Sequence, residues 1–212
     1  FPNLFRFNYD MQVAIELAKA IHDQAEADGM AVKMMENPDF RVDYGTIVSC
    51  HLTRPDWDKP IVSISSNRSR HYYSVEVMQE MMMQLGESTR KAIEASGKRV
   101  LLIASNSLSH RHFTTESAIP EDMSKEHITS HAMHLWDMRI LDLMREGKTQ
   151  QVVDEMPEFV EQAISESDGG SLTWMFSALG MPTYSPLMHG YGTIIGTGNV
   201  IMEWQHEKKG GV

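Results

Sequence analysis

The chain has 212 residues, enough for one domain with a sizeable core. Its formal charge of -10 comes from acids spread along the chain, so no nucleic acid and no anionic membrane surface is expected as a partner, since both require clustered Lys and Arg. Cys50 is the one cysteine, which rules out a disulfide within the chain and points to a reducing, cytoplasmic setting, and no apolar run approaches the roughly 20 residues of a spanning helix.

The chain opens on Phe1-Pro2-Asn3 rather than Met, as expected of a fragment or a processed product. Asp10 is a candidate cap for a helix running to about Gly29, with Val13, Leu17, Ile21 and Ala25 on one stripe. Residues 31–35 read as a short strand broken by Asn37-Pro38-Asp39, and PIVSIS at 60–65 as a second strand. A long helix starts near Ser74, carries Met78, Met81, Met82, Leu85, Thr89 and Ile93 at helical spacing, and ends at Gly97. Val100 to Ala104 then form a continuous apolar run that reads as a central strand. A further helix is predicted from about Asp122 to Gly147, with Met133, Ile140, Leu141 and Met144 facing the core. Another opens at Thr149, and Pro157 is expected to divide it. The Gly-rich run 190–204, GYGTIIGTGNVIMEW, reads as one strand where backbones approach closely. Strands alternating with helices predict an α/β domain over residues 1–206, with 207–212 as a frayed tail.

The densest chemistry follows the 99–104 strand, where Ser109-His110 and His112 lie just past its carboxyl end. That is where sheets of this class place ligands and catalytic groups, and imidazole exchanges a proton near neutral pH. Other signals are weaker. His127 and His131 are four apart on a predicted helix, but Ile128 stands where a zinc protease would carry Glu, so a solvated face is the better reading. No Gly cluster matches a phosphate-binding loop, and no GxSxG elbow is present. Glu166, before Ser167-Asp168-Gly169-Gly170, is by itself an ordinary acid.

Taken together, Asp43-Tyr44-Gly45-Thr46, the strand with Ser109-His110, Glu166 ahead of Thr173-Trp174, and the closing Gly-rich run resemble one family. It is the class III (LigB-type) extradiol ring-cleaving dioxygenases. The resemblance spans essentially the whole chain. Asn106, Tyr44 and the segments 40–46 and 119–125 favour the branch that acts on 2-aminophenol. It implies a single LigB-type domain, with a central mixed sheet flanked by helices, that lacks the N-terminal part of the family fold. It also implies a non-haem Fe(II) held by two histidines and one glutamate, with open positions for substrate and O2. Carried over by position, Glu166 is the carboxylate ligand and His110 the acid/base beside the metal, with Tyr44 and His112 as pocket candidates and a purely structural Tyr44 left open. The two histidine ligands belong to N-terminal segments that this sequence does not include; His22, His51 and His71 lack ligand-like settings and do not replace them.

The expected function is extradiol cleavage of 2-aminophenol, or a related o-aminophenol or catechol, to a 2-aminomuconic semialdehyde-type product. A related alpha subunit in a heterotetramer is the implied partner. Two alternatives stand beside it: a non-catalytic subunit of such an enzyme, and a metal-free binding protein on the same fold.

Overall fold

Packing around one long helix, Val75–Ser96, organises the computed structural model, which describes residues 9–37, 39–65, 72–111, 128, 130–194 and 196–205. In chain order these form α1 (Ile15–Ala27), α2 (Tyr44–Thr53), α3 (Val75–Ser96), α4 (His131–Arg145), α5 (Thr149–Ala163), a 3-10 turn (Glu166–Gly169), α6 (Gly170–Ala178), and strands β1 (Leu187–Ile194) and β2 (Thr197–Glu203).

The long helix α3 has the ends that its sequence implies. The Ser74 hydroxyl accepts from the Val77 amide, and Gly97 closes the helix at φ 64, a left-handed cap that suits a residue without Cβ. Met78, Met82, Leu85 and Thr89 are buried, as the stripe predicts. α3 packs against α6 so closely at Gly86 that a Cβ there would overlap Ser177 and the Trp174 carbonyl. Polar bonds line this seam: the Trp174 indole donates to Thr89 Oγ1 (3.0 Å), Ser177 Oγ to the Met83 carbonyl (2.6 Å), and Thr173 Oγ1 to Gln79 Oε1. Gln79 Nε2 in turn donates to the Asp168 carbonyl (2.6 Å), which ties α3 to the turn that carries Glu166. α4 and α5 complete the core with Ile140, Leu141, Leu143, Met144, Val152, Met156 and Phe159.

Several boundaries differ from the sequence reading. α1 begins at Ile15 rather than after Asp10, because Val13 is instead extended in a parallel bridge with Ile61; Leu17, Ile21 and Ala25 are buried as expected. α4 begins at His131, since the Ser130 hydroxyl caps it by accepting from the Met133 amide, and Ile128 is not helical. Pro157 does not divide its segment. α5 is continuous through it, and the buried face of Val152, Val153, Met156, Phe159, Val160 and Ala163 offsets the backbone bond that proline forgoes. The Gly-rich run is two strands, not one. β1 and β2 pair antiparallel with Ile194 opposite Thr197, and Gly196 supplies φ 83 at the turn.

The three segments read as strands at 31–35, 60–65 and 99–104 do not form strands, although exposure alternates from residue to residue over 31–35 and over 101–104. Val32, Ile64, Leu102 and Ala104 pack on the core. Yet among the described residues the Val13–Ile61 bridge is the one ladder contact these segments make, and the described sheet is the β1–β2 hairpin. An alternating pattern reports one face on a core; ladder pairing needs a neighbouring strand in register, which the pattern does not specify.

α2 was not foreseen. Asp43 caps it twice, Oδ1 accepting from the Thr46 amide (3.1 Å) and Oδ2 from Thr46 Oγ1 (2.8 Å), while no residue of α2 is buried. A helix held by its cap rather than by packing is sensitive to loss of the cap. Asp43→Ala is expected to lower the unfolding free energy by about 1 kcal/mol, seen as a lower urea midpoint at unchanged m-value.

Candidate active site

The segment 107–110 is fixed by four consecutive backbone amides, each donating to a different element. Ser107 N donates to Glu166 Oε2 in the 3-10 turn (2.5 Å), and Leu108 N to the Gly198 carbonyl on β2 (2.7 Å). Ser109 N donates to Asp137 Oδ1 on α4 (2.8 Å), and His110 N to the Ala163 carbonyl at the end of α5 (3.2 Å). Carbonyls answer in the other direction. Leu108 accepts from Glu166 N (3.4 Å) and Ser109 from Gly198 N (3.0 Å). Ser107, Leu108 and Ser109 are buried, so these bonds meet donors that water does not reach.

Glu166 and His110, far apart in sequence, meet here. The Ser107 hydroxyl stands between them, 2.5 Å from His110 Nδ1 and donating to Glu166 Oε2 at 3.1 Å. His110 Nδ1 lies 3.9 Å from the same carboxylate oxygen. About a quarter of each side chain remains exposed, 27% for His110 and 24% for Glu166, so both groups are held yet reachable. The backbone shape that presents Glu166 is unusual: Ser167 and Asp168 take left-handed φ of 56° and 49°, and Gly169 follows at 69°. A Cβ at Gly169 would collide with Met156, so only glycine lets the turn sit against α5. Asn106 extends the frame by donating to the Ser107 carbonyl (3.0 Å) and accepting from Ser171 Oγ (3.0 Å).

Behind this segment lies a buried carboxylate. Asp137, 1% exposed, accepts from Ser109 N, from Ser109 Oγ (2.7 Å) and from the Tyr191 hydroxyl (2.9 Å). His134 Nδ1 is 3.3 Å from that hydroxyl. Burial pushes the Asp137 carboxyl above its ordinary value, against the opposing effect of the bonds from Ser109 and Tyr191. Gly198 is pressed so near that a Cβ would overlap the Asp137 side chain.

Of the residues singled out by sequence, Glu166 and His110 are thus brought together. Tyr44 opens α2 and is 60% exposed; the first turn of that helix touches the segment leading into Ser107, where Ser105 Oγ donates to the Gly45 carbonyl (3.5 Å). His112 and His127 lie outside the described residues. Ser107 and Asp137 were missed. Ser107 is one of three serines in Ser105-Asn106-Ser107-Leu108-Ser109, with nothing in the sequence to say which faces inward. Asp137 did carry a signal: it stands on the apolar stripe of α4, four after Met133 and four before Leu141.

Among the described residues, one group of three His, Asp or Glu side chains has converging ligand atoms, His22, Asp23 and Glu26 on α1, apart from this site. At the site itself, a metal would find one carboxylate donor, Glu166, whose Oε1 takes none of the bonds named above. That fits one corner of a triad of two histidines and a carboxylate; among the described residues no two further ligand side chains converge on it.

A family model described as the catalytic LigB subunit of aromatic ring-opening dioxygenase matches residues 2–200. The chain is 48% identical over 210 residues to a 2-aminophenol 1,6-dioxygenase beta subunit from Pseudomonas sp, covering 99% of this chain and 69% of that protein. It is 26% identical over 197 residues to a 2-aminophenol 1,6-dioxygenase alpha subunit from Pseudomonas sp, covering 92% and 69%. Over 184 residues it is 28% identical to a 3,4-dihydroxyphenylacetate 2,3-dioxygenase of Escherichia coli, covering 86% and 63%.

Proposed function

The chain belongs to the LigB family of aromatic ring-opening dioxygenases, and from that membership we propose that it bears part of the Fe(II) site of an enzyme that opens the ring of 2-aminophenol, or of a related o-aminophenol or catechol, with O2. The observation that carries the reading is the Glu166–Ser107–His110 cluster, a carboxylate and an imidazole joined through one hydroxyl. Glu166 is the carboxylate donor to iron, joined by two histidines from outside the described residues. Bound iron(II) supplies the point at which the aromatic substrate and O2 meet.

The residues of this chain do the rest. The Ser107 amide and hydroxyl hold Glu166 Oε2 and so fix the direction of Oε1 toward a metal. Nδ1 of His110 faces Ser107, so Nε2 is the atom that takes the proton of the substrate hydroxyl and returns it as the ring opens. Tyr44 and His112 are proposed to border the substrate. Both oxygen atoms of O2 enter a 2-aminomuconic semialdehyde-type product.

The same reading gives the chain a related alpha-type subunit as its partner in a heterotetramer, supported by its similarity to both kinds of subunit. It is a cytoplasmic enzyme, in keeping with its single cysteine. Among the described residues no helix is long and apolar enough to cross a membrane.

The complete enzyme, reconstituted anaerobically with Fe(II) and then given 2-aminophenol and O2, is expected to consume O2 and develop the absorbance of a ring-opened semialdehyde. The absence of both O2 uptake and ring-opened product, with 2-aminophenol and with catechol alike, would sink the proposal in favour of a non-catalytic subunit.

A further inference from the structure

The buried carboxylate of α4 has no place in the chemistry above, yet it holds the peptide unit next to the proposed acid/base. Its oxygens take three bonds: Oδ1 from Ser109 N (2.8 Å), and Oδ2 from Ser109 Oγ (2.7 Å) and from the Tyr191 hydroxyl (2.9 Å). Ser109 Oγ also accepts from Gly198 N (3.2 Å), so α4 and β2 meet at this serine, and β1 joins them through the Tyr191 hydroxyl on Asp137. An aspartate on the apolar stripe of a helix is costly to bury unless its bonds are fully used, and an apolar residue there would leave Ser109 N without its acceptor.

We propose that Asp137 is a positioning residue: by fixing the Ser109 backbone and hydroxyl from behind, it sets the reach of His110 toward Ser107 and Glu166. The proposal rests on the functional reading above, in which His110 moves the proton. The physical route is short. Ser109 is bonded covalently to His110, and both of its polar hydrogens are committed to Asp137. A change of rotamer or peptide tilt at Ser109 therefore swings the His110 backbone and its imidazole relative to the Ser107 hydroxyl, where the separation is only 2.5 Å. Second-layer bonds of this kind hold donors to tolerances that a 1 Å error destroys.

Asp137→Asn keeps the shape but replaces one acceptor oxygen with an NH2 donor, so either the Ser109 amide or the Ser109 and Tyr191 hydroxyls lose their acceptor. In the complete Fe(II)-loaded enzyme, kcat is expected to fall about 10- to 100-fold with little change in KM and with iron content retained. A merely structural aspartate would add its cost to any other variant. A positioning one would not: Asp137→Asn should cost little further activity in a His110→Ala background. Tyr191→Phe, which removes a single donor, is the milder variant should Asp137→Asn fold poorly, and should show the same dependence on His110 with a smaller loss.

A readout independent of turnover is amide hydrogen exchange by mass spectrometry. Peptides covering 107–110 should exchange faster in Asp137→Asn, while peptides from α3 stay as in the wild type. Unchanged exchange at 107–110, or additive losses with His110→Ala, would overturn the positioning role. If the wild-type enzyme opens no ring, the functional reading falls, and the exchange measurement still decides whether Asp137 fixes this segment.

Discussion

Glu166→Ala is expected to leave the complete enzyme folded but without its iron. In the proposed site the carboxylate is one donor of three, and the loss of even a residue that only supports a donor weakens metal binding about 10- to 100-fold, so removal of the donor itself should exceed that range. The substitution also strands the Ser107 amide and hydroxyl, both of which now end on Glu166 Oε2. Glu166→Gln separates the two effects, because it keeps an acceptor for Ser107 while removing the charge. Iron-to-protein ratio after desalting, read by elemental analysis, should fall steeply in both variants, more so in alanine. A ratio equal to wild type in Glu166→Ala would remove this residue from the ligand set.

The opposite signature is expected at His110. His110→Ala should retain iron and lose turnover by about 10²- to 10⁴-fold, the usual contribution of a positioned acid/base. Its imidazole sits 3.9 Å from Glu166 with the Ser107 hydroxyl between them, an arrangement that places it beside the carboxylate rather than in competition with it. Iron content and kcat measured on the same preparation distinguish the roles. Loss of iron in His110→Ala would make this histidine a ligand and overturn its assignment as the proton carrier.

The parts of this fold that rest on local periodicity were legible in the sequence. The α3 stripe, its start at Ser74 and its Gly97 stop all stand where expected, as do the buried Leu17, Ile21 and Ala25 of α1. Where two local signals competed, the stronger packing face won: Pro157 remains inside α5 because six buried residues on one side hold the helix together across it. Helix α2 was illegible for the reverse reason. It buries nothing, so it has no stripe to read, and its one mark is the Asp43–Thr46 cap. The β1–β2 turn was hidden inside an apolar run, where only the left-handed Gly196 betrays it.

At the site, pattern and topology divided the work. The Ser109-His110 pair was read as a candidate place for proton chemistry, and the family resemblance drew attention to Glu166. That the two meet through Ser107 depends on how the 3-10 turn lies against 107–110, and no spacing rule encodes it. Asp137 shows what a closer reading can recover. A charged residue at the centre of an apolar helix face demands a buried partner, and that demand can be read before the partner is known.

The clamp on 107–110 also bears on the order in which the molecule acquires its working form. Its bonds close stretches of 28, 59 and 89 residues, from Ser109 to Asp137, from Ser107 to Glu166 and from Ser109 to Gly198. The helices, in contrast, are closed by bonds four residues apart and need no distant partner to begin. Each doubling of a closed loop adds about 0.6 kcal/mol of entropy cost, so contacts of this reach follow once the helices have shortened the effective path between them. Segment 107–110 is thus expected to set late in folding, once α4, α5, the 3-10 turn and the hairpin have all arrived. For the same reason it is expected to fail early: loosening the 3-10 turn or the hairpin releases an amide of 107–110 while the helical core still stands.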